Sequence, residues 1–151
     1  MAKKSQHTKR ITNKRAKFDY ELGDSLVVGI ELTGGETKAL RMGHGHLKGS
    51  YVTVKDDQLW LINATIHGTN AIKLSETEQT RTRKLLAKRR EINELITSKQ
   101  QGQSIIPTEL LTKGRYIKLR IAKGKGRKRY DKRQVIKARD EARNTARLLA
   151  N

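Results

Sequence analysis

Positive charge is gathered at the two ends of this chain, and that decides which part of it can form a core. Residues 1–18 hold seven lysines and arginines and no acid, and residues 123–151 hold eleven against three acids. The stretch between them, 19–122, is near balance, with sixteen basic and twelve acidic side chains. Segments this rich in like charge cannot bury enough apolar surface to offset the entropy of ordering them. The expectation is one folded unit over residues 13–122, a flexible basic arm over 1–12 and a basic tail over 123–151. The formal charge of +19 repels itself unless a polyanion compensates it, so RNA, DNA or an acidic membrane is the candidate partner.

The membrane is the weakest of these. The longest apolar runs, Leu26–Ile30 and Leu59–Ile62, are far too short to span a bilayer. No apolar run follows the basic start, so no signal peptide is expected. The absence of cysteine excludes disulfides, thiolate metal sites and a cysteine nucleophile, and suits a reducing cytoplasm. The six aromatics, Phe18, Tyr20, Tyr51, Trp60, Tyr116 and Tyr130, are scattered. A stacking platform for single strands usually gathers them, so phosphate contact is expected to dominate affinity.

Within the middle, residues 20–33 alternate from Leu26 through Val28 and Ile30 with a period of two, which predicts a half-buried strand. Thr33-Gly34-Gly35 ends it, and Glu36–Met42 predicts a short helix stopped by Gly43. Tyr51–Val54 and Gln58–Ile62 around Lys55-Asp56-Asp57 predict a hairpin. Ser75–Arg81 reads as a polar loop. Residues 83–100 read as one amphipathic helix, with Thr80 or Thr82 as its cap and Gly102 as its stop. Ile105–Leu111 and Tyr116–Ile121 predict a second hairpin, with Pro107 at an edge or strand start. Lys123–Arg129 reads as a flexible basic hinge. Asp131–Leu149 can form a helix, but one that needs a partner to be stable. About five strands and two helices, with the strands in hairpins, predict a small antiparallel β-barrel with peripheral helices.

His44, His46 and His67 could be imagined on a metal, but no carboxylate cluster or helical spacing supports them, and polar loop residues are the better reading. Leu32–Lys38 has glycines and a lysine without P-loop spacing. It reads as a tight turn, with a phosphate-binding helix start as the alternative. No nucleophile elbow or paired-carboxylate site is visible, so no enzyme activity, cofactor or metal is expected.

Several short motifs follow one another along the chain: Asn13–Tyr20, Gly29–Arg41, Leu47–Val52, Arg83–Leu86 with Arg89–Ile92, and Tyr130–Arg133 followed by Ile136-Lys137 and Arg139-Asp140. In this order and spacing they resemble the SmpB family of tmRNA-binding proteins across nearly the whole chain. Phe18, Gly35, Thr37 and Gly49 depart from the family's usual residues. The resemblance implies an oligonucleotide-binding-type barrel in a cytoplasmic, monomeric protein, whose partners are tmRNA and the small-subunit decoding centre of the ribosome. It implies contacts to the tRNA-like domain of tmRNA through Asn13, Lys14, Arg15, Lys17, Glu36, Lys38 and Arg41. A carboxylate in such a site either accepts a hydrogen bond from RNA or orders neighbouring basic side chains. The tail would become helical on binding and replace the codon–anticodon helix, so that the nascent peptide is tagged and the ribosome rescued. Lys123, Lys125, Arg127, Lys128, Arg129, Tyr130, Asp131, Lys132 and Arg133 would meet the decoding centre. Ile136, Lys137, Arg139, Arg143, Arg147, Leu148 and Leu149 would line the empty mRNA channel. A structural ribosomal protein and a general single-strand binder remain as alternatives.

Overall fold

The computed structural model describes residues 10–150, with the side chain of Arg129 left out. The expectation of a flexible arm therefore lies, for residues 1–9, outside the described residues. In chain order the elements are β1 (Ile11–Thr12), α1 (Lys14–Asp19), β2 (Tyr20–Ile30), α2 (Gly34–Arg41), β3 (Gly45–His46), β4 (Tyr51–Lys55), β5 (Gln58–Ile62), β6 (Thr65–Ile66), α3 (Glu76–Gln79), β7 (Arg83–Leu86), α4 (Arg89–Gln100), β8 (Ser104–Leu111), β9 (Lys118–Gly126) and α5 (Arg129–Ala150).

Alternation builds the sheet. On β2 Val28 points into the core while Val27 faces out, as the period of two requires. The β4–β5 hairpin turns on Asp56 and Asp57, both at positive φ (53° and 59°). Two consecutive left-handed residues are what a tight two-residue hairpin turn needs, and Asp tolerates them better than most side chains. The register then runs from Lys55 opposite Gln58 to Tyr51 opposite Ile62.

All pairings are antiparallel, and they close on themselves. β8 pairs with β4, β4 with β5, β5 with β7, β7 with β2, β2 with β9, and β9 with β8 again. Such closure leaves none of these six strands with an open edge over its whole length. β1 adds to β8 on the outside, and β3 and β6 form a small separate pair. Leu47, Leu59, Leu61, Leu85, Leu119 and Ile121 are completely buried inside. α2 closes one side with Ala39 and Leu40, and α4 contributes Ile92 and Leu95.

Several expectations change. Residues 83–100 are not one helix: Arg83–Leu86 is β7, and the helix starts only at Arg89. β7 fills the gap between β5 and β2 and sends Leu85 into the core, so ladder bonds on both sides outweigh the local helical preference. Neither Thr80 nor Thr82 caps α4; Lys88 holds the cap position, and Glu91 accepts from its backbone N–H at 3.0 Å. The polar loop expected over 75–81 contains α3, started by a capping box between Ser75 and Glu78. Pro107 is neither at an edge nor at a strand start. It lies inside β8 at a register shift before Glu109, where a bulge tolerates the missing N–H. The presumed hinge begins as strand, because β9 pairs with β2 as far as Gly126. The tail is helical over Arg129–Ala150, two residues earlier than the helix expected from Asp131.

Candidate nucleic-acid interface

Asn13 is 7% exposed and works within the fold. Its Oδ1 accepts from the Ala16 N–H at 3.3 Å, capping α1, and its Nδ2 donates to the Pro107 carbonyl at 3.0 Å. The N–H of Asn13 also donates to the Thr108 carbonyl at 2.8 Å. One side chain thus fastens the start of α1 to the bulge of β8. That anchoring fixes where Lys14, Arg15 and Lys17 project, and all three are exposed. Arg15 donates to Asp19 at 3.3 Å and lies 5.3 Å from the Phe18 ring centroid. Lys14 and Lys17 line a groove with Arg120 and with Arg139 of α5.

Glu36, 1% exposed, is the centre of a buried ion cluster. Its Oε1 accepts from the Thr33 N–H at 3.0 Å and from Arg81 Nη2 at 2.5 Å. Its Oε2 accepts from Arg83 Nε at 2.5 Å. Thr33 Oγ1 in turn accepts from the Glu36 N–H, completing a capping box at the start of α2. Burial alone would push the Glu36 carboxyl up. The hydrogen bonds from Arg81, Thr33 and Arg83, with the charge of Arg83, outweigh this and hold it below its ordinary value. Arg83 is fully buried, and all five of its N–H donors are used. Besides Glu36 they reach the carbonyls of Ala64, Arg81, Glu78 and Gln79. Burial pushes its pKa down and Glu36 pushes back. Of the two roles open to this carboxylate, ordering its basic neighbours is the one its geometry supports.

On the same helix Lys38 is exposed, whereas Arg41 turns back onto the β8–β9 loop. Its Nη1 donates to the carbonyls of Thr112 at 3.1 Å and Gly114 at 2.9 Å, and its Nη2 to Arg115 at 2.9 Å.

The sequence reading missed an exposed face on β5, β7, β2 and β9. Val27 and Leu86 point outward at 40% and 49% exposure. Leu86 lies opposite Gly29, Gly29 opposite Lys118, Val27 opposite Arg120 and Trp60 opposite Lys84. A Cβ at Gly29 would come within 3.2 Å of the Leu86 Cβ, so glycine there keeps the face flat. Apolar side chains flanked by Lys84 and Lys118 suit a polyanion that also presents flat bases. A signal for it was present: Val27 is apolar where the alternation of β2 calls for a polar residue.

The tail lies along the body over its first half, as far as Arg139, and its side-chain contacts are concentrated near its start. Lys132 Nζ lies 3.2 Å from Asp19 Oδ1 and 5.8 Å from the Phe18 ring centroid. The Lys128 N–H donates to Asp131 Oδ2 at 3.3 Å, capping α5, and the Arg127 N–H donates to the Asp19 carbonyl at 2.9 Å. Lys132 and Val135 are half-buried. Tyr130, Arg133, Ile136, Lys137, Arg139, Arg143, Arg147, Leu148 and Leu149 are exposed. Lys123 and Lys125 belong to β9 rather than to a hinge. The rings of His46 and His67 stand 5.3 Å apart, and among the described residues no group of three or more side chains is placed to hold a metal. No described helix is long and apolar enough to cross a membrane.

Comparison with known proteins agrees with this geometry. The family model described as "SmpB protein" matches residues 10–151. An SsrA-binding protein of Trichormus variabilis is 40% identical over 154 residues, covering 100% of this chain and 99% of that one. One from Pseudoalteromonas atlantica is 40% identical over 152 residues, covering 98% and 96%. Among solved structures, a chain from work on tmRNA–SmpB and the centre of the bacterial ribosome superposes with a TM-score of 0.65 at 28% identity, over 84% of this chain and 94% of that one. By sequence along its whole length, and by fold, the chain belongs to the SmpB protein family.

Proposed function

We propose that this protein is the tmRNA-binding adaptor of trans-translation: it binds the tRNA-like domain of tmRNA and carries it to stalled ribosomes. The observation that supports this most directly is the division of the molecule into a closed antiparallel body and an almost fully exposed basic helix. We take the body to be an oligonucleotide-binding-type barrel that holds tmRNA, with residues 13–122 as its nucleus. The exposed face around Val27, Leu86 and Lys118 and the basic residues of α1 form its RNA surface. Asn13, Glu36 and Arg41 act as positioning residues, and Lys14, Lys17 and Lys38 are free to meet phosphates. The segment that follows β9, with α5 over Arg129–Ala150, then enters the small-subunit decoding centre and the empty mRNA channel, in the cytoplasm and as a monomer.

The test is binding of the purified protein to tmRNA against bulk tRNA at two salt concentrations. Selective binding that survives the higher salt supports the adaptor. Equal, weak binding to both RNAs that collapses together with salt is simple phosphate attraction, and would overturn it.

The exposed face makes its own prediction. Leu86→Glu places a carboxylate between Lys84 and Lys118 on an outward position, so folding should change by no more than about 0.5 kcal/mol. Affinity for tmRNA should fall at least about tenfold, from the lost apolar contact and the new repulsion. Unchanged affinity in a titration would remove this face from the RNA surface.

A further inference from the structure

We propose that the tip of the β8–β9 hairpin, Lys113–Tyr116, is a preorganised base-stacking finger for an unpaired RNA nucleotide, with Arg41 as its positioning residue. The proposal rests on the RNA-binding function above and assigns a specific contact within it.

Three observations carry it. Tyr116 is 68% exposed, the most exposed aromatic ring on the body, and packs into no core. The Arg115 guanidinium lies over the ring, 5.5 Å from its centroid, and leaves the side chain 68% exposed. A base seated on the exposed ring completes a stack of guanidinium, phenol and base, an arrangement that proteins use for unpaired nucleotides.

The third observation concerns the backbone. A hairpin tip with an exposed tyrosine would ordinarily be mobile, and ordering it on binding would cost affinity. Here Arg41 reaches across from α2 and donates to three backbone carbonyls of that loop, those of Thr112, Gly114 and Arg115. Gly114, at φ +93°, supplies the left-handed step that turns those carbonyls toward one guanidinium. So rigid a clamp on a solvent-facing loop stabilises no core; it fixes the direction of the ring. The surroundings suit an anionic partner: the tip and the start of β9 hold Lys113, Arg115 and Lys118, while Arg120 further along is paired with Glu109 at 2.9 Å. Lys118 joins the tip to the exposed face, because it pairs with Gly29 beside Leu86.

The experiment is a titration of the full chain with a transcript of the tRNA-like domain of tmRNA, repeated over a range of salt. Tyr116→Ala should weaken binding about five- to hundredfold, the loss of one base stack, while the salt dependence stays as in the wild type because no phosphate contact is removed. Tyr116→Trp should bind like the wild type. Arg41→Lys keeps the charge but cannot span three carbonyls, so it should lose about as much as Tyr116→Ala. The double variant should lose little more than either alone, because both act through one ring. Binding by Tyr116→Ala within twofold of the wild type would overturn the proposal. So would additive losses with a salt slope lowered by about one in Arg41→Lys, since Arg41 would then be touching phosphate itself. Failure of the wild type to prefer this RNA would instead overturn the function proposed above, and the two failures are told apart in one series.

Discussion

Replacing Glu36 with glutamine is expected to destabilise the free protein by about 3–5 kcal/mol, a fall in Tm of roughly 10–20 °C. Glutamine fits the space but leaves the fully buried Arg83 without its counter-charge. An uncompensated buried charge is what makes breaking one side of such a pair costly. The same experiment separates the two roles a carboxylate can have near RNA. A direct RNA acceptor faces solvent in the free protein, and changing it moves stability by no more than about 0.5 kcal/mol. A residue that organises Arg81 and Arg83 moves it by several times that. The effect is also pH-dependent with a definite sign. The folded pKa of Glu36 lies below its ordinary value, so its contribution is complete above about pH 4.3 and is lost as pH falls through the folded value. Urea unfolding of wild type and Glu36→Gln should therefore differ most at neutral pH, with the gap closing in acid. Equal stability at pH 7 would mean that the ion cluster contributes nothing net. Replacing Glu36 and Arg83 together by Leu and Met should recover only part of the loss, because the four carbonyls that Arg83 serves would remain unpaired.

How far the sequence exposes such features depends on how local they are. The Asp56-Asp57 turn, the alternation of β2 and the start of α2 are set by neighbouring residues, and each is legible. The capping box at Ser75 and Glu78 is equally local and carries its signature, but a four-residue helix between polar segments gives no apolar period to draw attention to it. β7 is the opposite case. Arg83-Lys84-Leu85-Leu86 runs into a helix that begins without a side-chain cap, and nothing nearby separates the two. Only the open positions beside β2 and β5 make it a strand. The roles of Asn13, Glu36 and Arg41 are hidden for the same reason. Their types mark them as candidates, but their partners lie far away, Pro107 for Asn13, Arg81 and Arg83 for Glu36, and the β8–β9 loop for Arg41. These three candidates are each tied into the fold by partners far along the chain, which no local pattern shows.

Deleting residues 131–151 is expected to leave tmRNA binding within about tenfold of the full chain while tagging of stalled peptides falls at least about a hundredfold. The sheet ends at Gly126, so the cut removes no strand. It does remove the Lys132–Asp19 pair and the half-buried Val135, and a half-exposed ion pair contributes only about 0–1 kcal/mol. The melting temperature should therefore barely move, and loss of function cannot be assigned to unfolding. The helix extends about 33 Å at 1.5 Å per residue, continues past Arg139, where its groove with α1 ends, and carries its exposed Leu148 and Leu149 away from the body. A segment built that way contributes little to the stability of the free protein. Charge and shape are then separable. Ala142→Pro keeps every cation but breaks the helix interior, at a cost of about 3 kcal/mol to the helix. Under the proposed role as a rigid insert in the mRNA channel, it should bind tmRNA normally and tag poorly. Full tagging by Ala142→Pro would show that charge alone suffices. Loss of tmRNA binding by the truncated chain, with its fold intact, would mean that body and tail hold the RNA together and that their labour is not divided.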